Sequence, residues 1–213
     1  MNEQYYEKLL NIKTSGEQKI FNESIHYNRY EPTAYYALEV LSKNYTFIEA
    51  DSIVDFGCGK GRMNFYINHF FQSNVTGIEM NSFFYQEALE NKKAYFKKHK
   101  KKLNSINFLN CFAEEFNPNP SDNKFYFFNP FSIQIFTKAV KNIIISVEKY
   151  ERPVDIILYY PSDDYIYFLE NNTPFHLFDE IRLPSLYDKD HRQTFLVYRL
   201  DYGDNTTYKI LKS

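Results

Sequence analysis

The sequence predicts an α/β protein with a seven-stranded, mostly parallel sheet, helices on both faces and a C-terminal antiparallel hairpin. Three observations support this fold class. Short apolar runs alternate with longer segments of helical periodicity, as in βα units. The first apolar run leads into a glycine loop, DFGCGKGR, at residues 55–62, and the last two apolar runs have no helical pattern between them. A chain of 213 residues is long enough to bury one well-filled core.

The segment before the first strand is expected to be helical. Residues 2–12 are interpreted as a helical arm, and a second helix is predicted from Thr33 to Tyr45, with Pro32 and Thr33 as its start signals. We expect a single domain over residues 1–213, in which residues 1–45 form the arm with its following loop and residues 46–213 form the core.

Five strands of parallel type follow in order. They are predicted at residues 52–56 (SIVDF), 74–80 (NVTGIEM), 106–110 (INFLN), 124–130 (KFYFFNP) and 154–160 (VDIILYY). The helices between them are predicted at residues 62–71, 82–102 and 132–150, and a short acidic connection joins the third strand to the fourth. The runs FHLFDEIRL (175–183) and QTFLVYRL (193–200) are interpreted as a hairpin that extends the sheet.

Composition argues against several classes of protein. A formal net charge of −2 provides no overall field that favours nucleic acid or an anionic membrane. Cys58 and Cys111 form no disulfide framework and lack zinc-site spacing, so a reducing, cytoplasmic location is expected. The polar start has no apolar signal core, and no apolar run approaches the ~20 residues that span a bilayer. No metal site is expected, because the histidines are scattered at His26, His69, His99, His176 and His191.

The glycine loop concentrates three of the six glycines of the chain in five positions. Glycine is favoured where φ is positive or where a side chain would keep a ligand away. In an open α/β sheet, the loop after the first strand commonly contacts the ligand. A dinucleotide fingerprint needs G-x-G-x-x-G, but Gly57, Gly59 and Gly61 are followed by Arg62 at the place of the third fingerprint glycine. Asp55 suits a ligand with a cationic amino acid end better than a diphosphate.

With this loop, the acid after the second strand and the terminal hairpin, residues 30–200 resemble the class I S-adenosylmethionine-dependent methyltransferases, which have a Rossmann-like fold. The resemblance implies that S-adenosyl-L-methionine is the cofactor. It implies that the first loop lies against the methionine and ribose parts of the cofactor, through Asp55, Gly57, Cys58, Gly59 and Gly61. It also implies that Glu79, with Met80 beside it, holds the ribose hydroxyls through charge-assisted hydrogen bonds. Cys58 is further interpreted as a small, buried residue that faces the sheet.

The stretch after the third strand departs from the family pattern. Many members place Asp or Asn before Ala to bond the adenine amino group, whereas this chain has NCFAEEF, with Phe112 before Ala113. Phe112 either packs against the adenine face or fills the core. Alternatively, Cys111 and Phe112 supply only backbone groups.

The stretch NRYEPT, residues 28–33, resembles a tyrosine-and-threonine loop that covers the methionine end of the cofactor in several methyltransferases, including the histone lysine enzymes that lack a SET domain. Tyr30 and Thr33 are the candidate cofactor contacts. Thr33 suits the alternative role of helix cap equally well.

The stretch FFNPFS, residues 127–132, resembles the (N/D/S)-P-P-(Y/F) loop of amino-group methyltransferases but has one proline. It supplies the catalytic candidates Asn129, Pro130 and Phe131. The Asn129 side-chain oxygen, with a nearby backbone carbonyl, is expected to accept hydrogen bonds from an amino group and aim its lone pair, while Phe131 packs on the substrate. Tyr159 and Tyr160 either line the same pocket or simply end an aromatic strand.

The methyl acceptor stays open among protein, RNA and a small molecule, and the sequence indicates no oligomeric state. The run from Lys92 to Lys102 holds seven lysines and no acid. It either binds phosphates or forms a solvated helix end that favours the helix dipole. Two other functions stay as alternatives: a catalytically idle, cofactor-binding partner subunit and a nicotinamide-dependent oxidoreductase. The glycine spacing and the terminal hairpin count against the oxidoreductase.

Overall fold

A computed structural model describes residues 3–16, 31–99 and 105–201. Its strands are β1 Ser52–Phe56, β2 Asn74–Ile78, β3 Ile106–Leu109, β4 Lys124–Phe127, β5 Val154–Tyr159, β6 His176–Arg182 and β7 Thr194–Leu200. They form one seven-stranded sheet in the order β3-β2-β1-β4-β5-β7-β6. The first five strands are parallel, whereas β7 runs antiparallel to both β5 and β6. The predicted fold class is therefore confirmed.

Six helices accompany the sheet in the described part of the chain. They are α1 Glu3–Leu10, α2 Tyr35–Asn44, α3 Arg62–Phe71, α4 Ser82–His99, α5 Ile133–Lys149 and α6 Asp163–Asn172. The predicted bounds of α3 are correct, while α2 begins two residues later than predicted because Ala34, with a ψ of 140°, is outside the helical region. The predicted end of α4 at Lys102 lies outside the described residues. The sequence interpretation missed α6, although Ser162 caps it by accepting a hydrogen bond from the Tyr165 backbone N–H.

Helices cover both faces of the sheet. All five residues of β1 are buried, as is typical of a central parallel strand. Ile53 packs in a cluster with α1, α2, α3 and α4, whereas Val54 and Phe56 pack in a cluster with α5 and α6. Because side chains alternate along a strand, Asp55 lies on the same face as Ile53 and therefore under the first four helices.

A buried charged network joins the parallel strands to the hairpin near the amino ends of β4 and β5. The Arg199 Nε donates to Oδ1 of Asp155 at 2.7 Å, and the Lys124 Nζ lies 3.2 Å from Oδ2. The Tyr45 hydroxyl also donates to Oδ2 of Asp155. Burial by itself raises the pKa of Asp155, but its hydrogen bonds to Arg199 and Tyr45 and the Lys124 charge lower the pKa on balance.

The N-terminal helix α1 is attached to α4. The Lys98 Nζ donates to the Lys8 carbonyl at 2.8 Å, and a ring nitrogen of His99 lies 3.0 Å from the Leu9 carbonyl. These contacts satisfy carbonyls at the C-terminus of α1, so Lys98 has a structural role. The lysines at positions 100–102 lie outside the described residues. In the part of the chain that the structure describes, no helix has the length and apolarity needed to cross a bilayer.

Candidate functional site

The candidate site lies where the loops after β1, β2 and β4 meet at the carboxyl edge of the sheet. The strand order reverses between β1 and β4, since chain order runs outward from β1 through β2 to β3 and from β4 to β5. Such a reversal opens a crevice beyond the carboxyl ends of the strands, where α/β proteins bind their ligands.

The glycine loop has a backbone that side chains would obstruct. The φ angles of Gly57, Gly59 and Gly61 are 74°, 54° and 86°, in the left-handed region that favours glycine. A Cβ atom at Gly57 would lie 2.6 Å from Cβ of Pro130, and one at Gly61 would lie 2.6 Å from the Phe108 ring. Gly57 and Gly61 therefore also permit close packing against the loop after β4 and against β3.

Cys58 faces the sheet from this loop. Its side chain is buried, and a Cβ atom on Gly77 of β2 would lie 2.6 Å from its sulfur. Burial, followed by the nearby Asp55 and Glu79 carboxyls, raises the pKa of the Cys58 thiol. The thiol therefore stays protonated near neutral pH and packs as a small buried group.

Asp55 is a buried acid without a hydrogen-bond partner among the described residues. It is the last residue but one of β1 and is 3% exposed. Burial, followed by the Glu79 charge, raises the pKa of Asp55 to about 8. A cation placed beside this carboxyl would favour its ionised form and satisfy it.

Glu79, just beyond β2, is held by backbone groups. The Gly59 N–H donates to Oε2 and the Asn81 N–H donates to Oε1, each at 2.8 Å. Burial raises the pKa of Glu79, and these two hydrogen bonds oppose that effect only in part. Each oxygen keeps a further lone pair for a ligand hydroxyl. The Asn110 side chain donates to the carbonyls of Glu79 and Met80 at 2.8 and 3.0 Å, which fixes the backbone of both residues.

Sequence reasoning did not single out Asn110 or Arg62. Arg62 begins α3 and is 4% exposed. Its Nε donates to the Thr14 hydroxyl at 2.7 Å, its Nη1 donates to the Thr33 carbonyl at 3.3 Å, and its Nη1 lies 2.6 Å from the Glu3 carboxylate. Arg62 thus connects the glycine loop to α1 and to the segment before α2. The only sequence signal for this role was its departure from the dinucleotide fingerprint.

Thr33 is bonded to the sheet rather than to its helix. Its hydroxyl lies 2.7 Å from the Tyr126 hydroxyl, and both side chains are buried. The N-cap of α2 is Ala34, without a side-chain cap, so Thr33 does not have the alternative capping role. Tyr126 on β4 is the register partner of Asp55 on β1, which places Thr33 over the strand ends beside Asp55. The other candidate, Tyr30, lies outside the described residues.

The three catalytic candidates in the loop after β4 differ in their exposure. Asn129 has a φ of 39°, and it and Pro130 are partly buried beside the crevice. The Phe131 ring is 3% exposed and lies perpendicular to Phe127, with ring centroids 6.0 Å apart. The carbonyl of Phe131 accepts a hydrogen bond from the Tyr165 hydroxyl. The Phe131 side chain is therefore part of the core, and its burial does not support the predicted packing on a substrate.

The structure also decides between roles that the sequence left open for Phe112 and for the pair Tyr159 and Tyr160. Phe112 is 46% exposed, so it does not fill the core. Tyr159 is buried and stacks on Phe195 with ring centroids 4.5 Å apart, whereas Tyr160 is partly buried and donates to Oδ2 of Asp190 at 2.6 Å. Only Tyr160 of this pair presents appreciable surface. Among residues 3–16, 31–99 and 105–201, no three His, Cys, Asp or Glu side chains are grouped so as to hold a metal ion.

Comparison with known proteins identifies the fold. No family model and no curated protein matches the sequence. An RNA methyltransferase from Salinibacter ruber, solved with S-adenosyl-L-homocysteine, aligns with a TM-score of 0.53 and 16% identity over 82% of this chain and 95% of its own. The cyclase SpnF aligns with a TM-score of 0.59 and 12% identity over 84% of this chain and 87% of its own.

A third solved structure is longer than this chain. The tRNA (uracil-54, C5)-methyltransferase of Pyrococcus abyssi, also with S-adenosyl-L-homocysteine, aligns with a TM-score of 0.50 and 15% identity over 78% of this chain. The match spans only 38% of that enzyme. At these identities the likeness concerns the fold, and the chain has the Rossmann-like fold of class I methyltransferases.

Proposed function

We propose that this protein is an S-adenosylmethionine-dependent methyltransferase that acts on an amino group of a protein, an RNA or a small molecule. The observation that carries the proposal is the pair of buried acids beside the glycine loop. Asp55 has no hydrogen-bond partner among the described residues, and Glu79 is held in place by two backbone N–H groups. The solved structures of the same fold that contain S-adenosyl-L-homocysteine support this assignment.

The donor set fits the cofactor. Asp55 is assigned to its cationic amino group, because a buried, unpaired carboxyl is best satisfied by a cation. Glu79 is assigned to the ribose hydroxyls, since each of its oxygens retains a lone pair in that position. The exposed ring of Phe112 is assigned to the adenine face. Thr33 and Tyr30 are assigned to the cover of the methionine end.

Catalysis would depend on positioning. S-adenosylmethionine supplies, when bound, an electrophilic methyl group on a positively charged sulfur. The Asn129 amide oxygen accepts hydrogen bonds from the acceptor amine and directs its lone pair toward the methyl carbon. Fixing that approach converts an encounter into an intramolecular step, which lowers the barrier without a metal ion. Pro130 holds this loop against Gly57, where the two residues are in close contact.

The cofactor assignment is tested by calorimetry with S-adenosyl-L-homocysteine and with NAD. Wild type should bind the first at micromolar scale and show no binding of NAD. Glu79→Ala should weaken S-adenosyl-L-homocysteine binding by about 1.5–3 kcal/mol, the value of hydrogen bonds to a charged group. Glu49→Ala, an exposed carboxylate in the turn before β1, serves as the matched control and should bind as wild type does. Unchanged affinity in Glu79→Ala would remove the ribose assignment.

Enzymatic activity is tested with labelled cofactor and a cell extract treated separately with nuclease and with protease. A labelled product that survives one treatment and not the other identifies the acceptor as RNA or protein. A product that survives both treatments identifies a small molecule. If the cofactor binds but no acceptor in the extract is labelled, the catalytically idle partner subunit becomes the better assignment.

A further inference from the structure

An aromatic wall stands beside Asn129 at the carboxyl ends of β4 and β5. It consists of Phe128, Tyr159 and Tyr160. The ring of Phe128 lies 4.6 Å from that of Tyr159 and 6.4 Å from that of Tyr160, measured between centroids. Phe128 and Tyr160 are partly buried, so both retain solvent-accessible surface. These rings are inclined to one another, at 46° between Phe128 and Tyr159 and 79° between Phe128 and Tyr160, so they form an angled aromatic surface next to the proposed amine-orienting group.

The ring of Tyr160 already contacts a cation of the protein itself. The Arg192 guanidinium lies 4.4 Å from its centroid, in cation–π geometry. The charge of Arg192 is balanced by Asp190, whose two oxygens each accept a hydrogen bond from the guanidinium at 3.1 Å. The Tyr160 hydroxyl donates to the same Asp190 carboxylate, which fixes the ring on the connection between β6 and β7.

Further carboxylates lie close to the wall. The pKa of Tyr159 is raised first by burial and next by the Glu31 charge. The pKa of Tyr160 is raised first by its hydrogen bond to Asp190, and Glu31 raises it further. Glu31 is exposed and stands two residues before Thr33, which is anchored over the strand ends. Its charge therefore reaches both tyrosines of the wall.

Among the described residues around Tyr160, a region called the entrance below, carboxylates outnumber cations. Glu31, Asp190 and Asp163 stand against Arg192 in that described set. The described lysines of the basic run lie elsewhere, on α4, which packs against β3 at the far edge of the sheet. A phosphate backbone is attracted by clustered lysines and arginines, and an acidic entrance would repel it. The entrance thus favours a cationic acceptor over RNA.

We propose that the methyl acceptor is a cationic aliphatic amine, either a lysine side chain or a free polyamine, bound between the aromatic wall and Glu31. The proposal rests on the proposed methyltransferase function and names its acceptor class. Aromatic faces and a nearby carboxylate are the groups that recognise ammonium ions in proteins. Asn129, which follows Phe128 directly, then receives the amino group at the end of the bound alkyl chain.

Deprotonation of the bound amine precedes methyl transfer in this site. The bound ammonium releases one proton to water and becomes a neutral amine. Its nitrogen lone pair forms the new N–C bond while the C–S bond breaks, and the electron pair of that bond stays on sulfur. The products are a methylated ammonium ion and S-adenosyl-L-homocysteine.

Binding is the first test, with the protein saturated in S-adenosyl-L-homocysteine. The probes are spermidine, a lysine-rich peptide and a single-stranded RNA oligonucleotide. Wild type should bind spermidine or the peptide, and Glu31→Gln should weaken that binding about fivefold. Tyr160→Ala should weaken it at least as much, whereas Tyr160→Phe should weaken it less because the ring remains. Glu49→Gln, which removes an exposed carboxylate before β1, should have no effect.

Methyl transfer from labelled cofactor to the same probes separates the two amine sources. Labelling of the peptide indicates a lysine side chain, and labelling of spermidine indicates a free polyamine. The inference is overturned if neither amine binds, if binding is insensitive to both Glu31 and Tyr160, or if the RNA is the labelled probe. Because S-adenosyl-L-homocysteine binding is measured first, its loss would overturn the proposed function instead.

Discussion

Asp55 and Glu79 are neighbouring buried acids with different surroundings. Backbone N–H groups occupy one position on each oxygen of Glu79, while the Asp55 carboxyl has no hydrogen bond from the described residues. Burial and the Glu79 charge raise the pKa of Asp55 to about 8, so this carboxyl is mostly protonated at neutral pH in the protein alone. Asp55 is therefore the group through which pH should control cofactor binding.

We expect affinity for S-adenosyl-L-homocysteine to increase with pH up to about 8. Binding of the cationic amino group favours ionised Asp55 and lowers its pKa, so the site releases a proton on binding at pH 7. Below pH 8, affinity should fall by up to about tenfold per pH unit. Calorimetry in two buffers with different ionisation enthalpies measures the proton release directly.

Asp55→Asn is the control for this pH dependence. Its affinity should be lower and independent of pH between 6 and 8, because the amide does not titrate. The effect of pH on the free energy of unfolding has the opposite sign to its effect on cofactor affinity. A buried acid with a raised pKa contributes stability below its ordinary pKa and loses that contribution as pH rises toward 8. Asp55→Asn should therefore gain stability relative to wild type above pH 8. A flat binding profile in wild type would contradict the assignment.

Asn129 offers a test of catalysis that is separate from binding. If its amide directs the acceptor lone pair, Asn129→Ala should lower kcat by ~10²-fold while leaving cofactor affinity nearly unchanged. Because φ at Asn129 is 39°, Asn129→Gly removes the same amide without adding backbone strain and should show the same loss. Asn171→Ala on α6 should be neutral. Cofactor affinity that collapses with activity would place Asn129 in the cofactor site or the fold.

At the scale of elements, two side chains, Arg62 and Asn91, join the N-terminal arm to the glycine loop. Arg62 reaches Thr14 after α1, Thr33 before α2 and Glu3 within α1. Three further hydrogen bonds hold the same region. The Asn91 side chain on α4 accepts from the Lys13 N–H and donates to the carbonyls of Lys13 and Lys60. Helix α1 therefore belongs structurally to the side of the site where the cofactor is expected.

Arg62→Met should loosen this attachment. It keeps much of the apolar length of the side chain but leaves Thr14, Thr33 and Glu3 without their charged donor. We expect a loss of about 1–3 kcal/mol in the free energy of unfolding, together with weaker cofactor binding. Urea unfolding and calorimetry measure the two effects. Glu3→Gln should cost less, since the Glu3 side chain is nearly half exposed and screened by water. Equal losses in both variants would argue against Arg62 as a joining residue.

At the scale of the whole molecule, Asp155 connects the parallel strands to the hairpin. Its carboxylate binds Lys124 on β4 and Arg199 on β7 and accepts a hydrogen bond from Tyr45 after α2. We propose that residues 1–213 fold as a single domain. Loss of the Asp155 contacts should then destabilise the whole chain, and unfolding should remain one cooperative transition.

Asp155→Asn should lower the free energy of unfolding by about 3 kcal/mol at pH 7, because it removes the buried carboxylate that pairs with Arg199 and leaves Lys124, among the described carboxylates, only its longer contact to Asp51, at 3.7 Å. The pKa of Asp155 is lowered in the fold, so the wild-type contribution is present above the ordinary Asp pKa and disappears as pH falls through the lowered one. The two proteins should therefore converge in acid. Far-ultraviolet circular dichroism and tyrosine fluorescence should report coincident transitions. Two separate transitions would contradict the single-domain proposal.

The sequence by itself determined the succession of strands along the chain, most helix bounds and the loops that form the site. Those features depend on local patterns: apolar periodicity along the chain, and glycines where the backbone must turn. Helix α6 has a local signal too, in Ser162 followed by Asp163 and Asp164, although it was not predicted. The positions of Asp55 and Glu79 at strand ends followed from the same patterns, because parallel strands bring their carboxyl ends to one edge.

Only the tertiary structure decided what these residues contact. Arg62 meets Thr14, 48 positions away, and the hydroxyls of Thr33 and Tyr126 are separated by 93 positions. No periodicity encodes such pairs, since they arise when helices pack on a sheet whose strand order differs from the chain order. The same packing buried Phe131, left Phe112 exposed and brought the charge of Glu31 within range of Tyr160, because burial and charge at a site depend on every element around it.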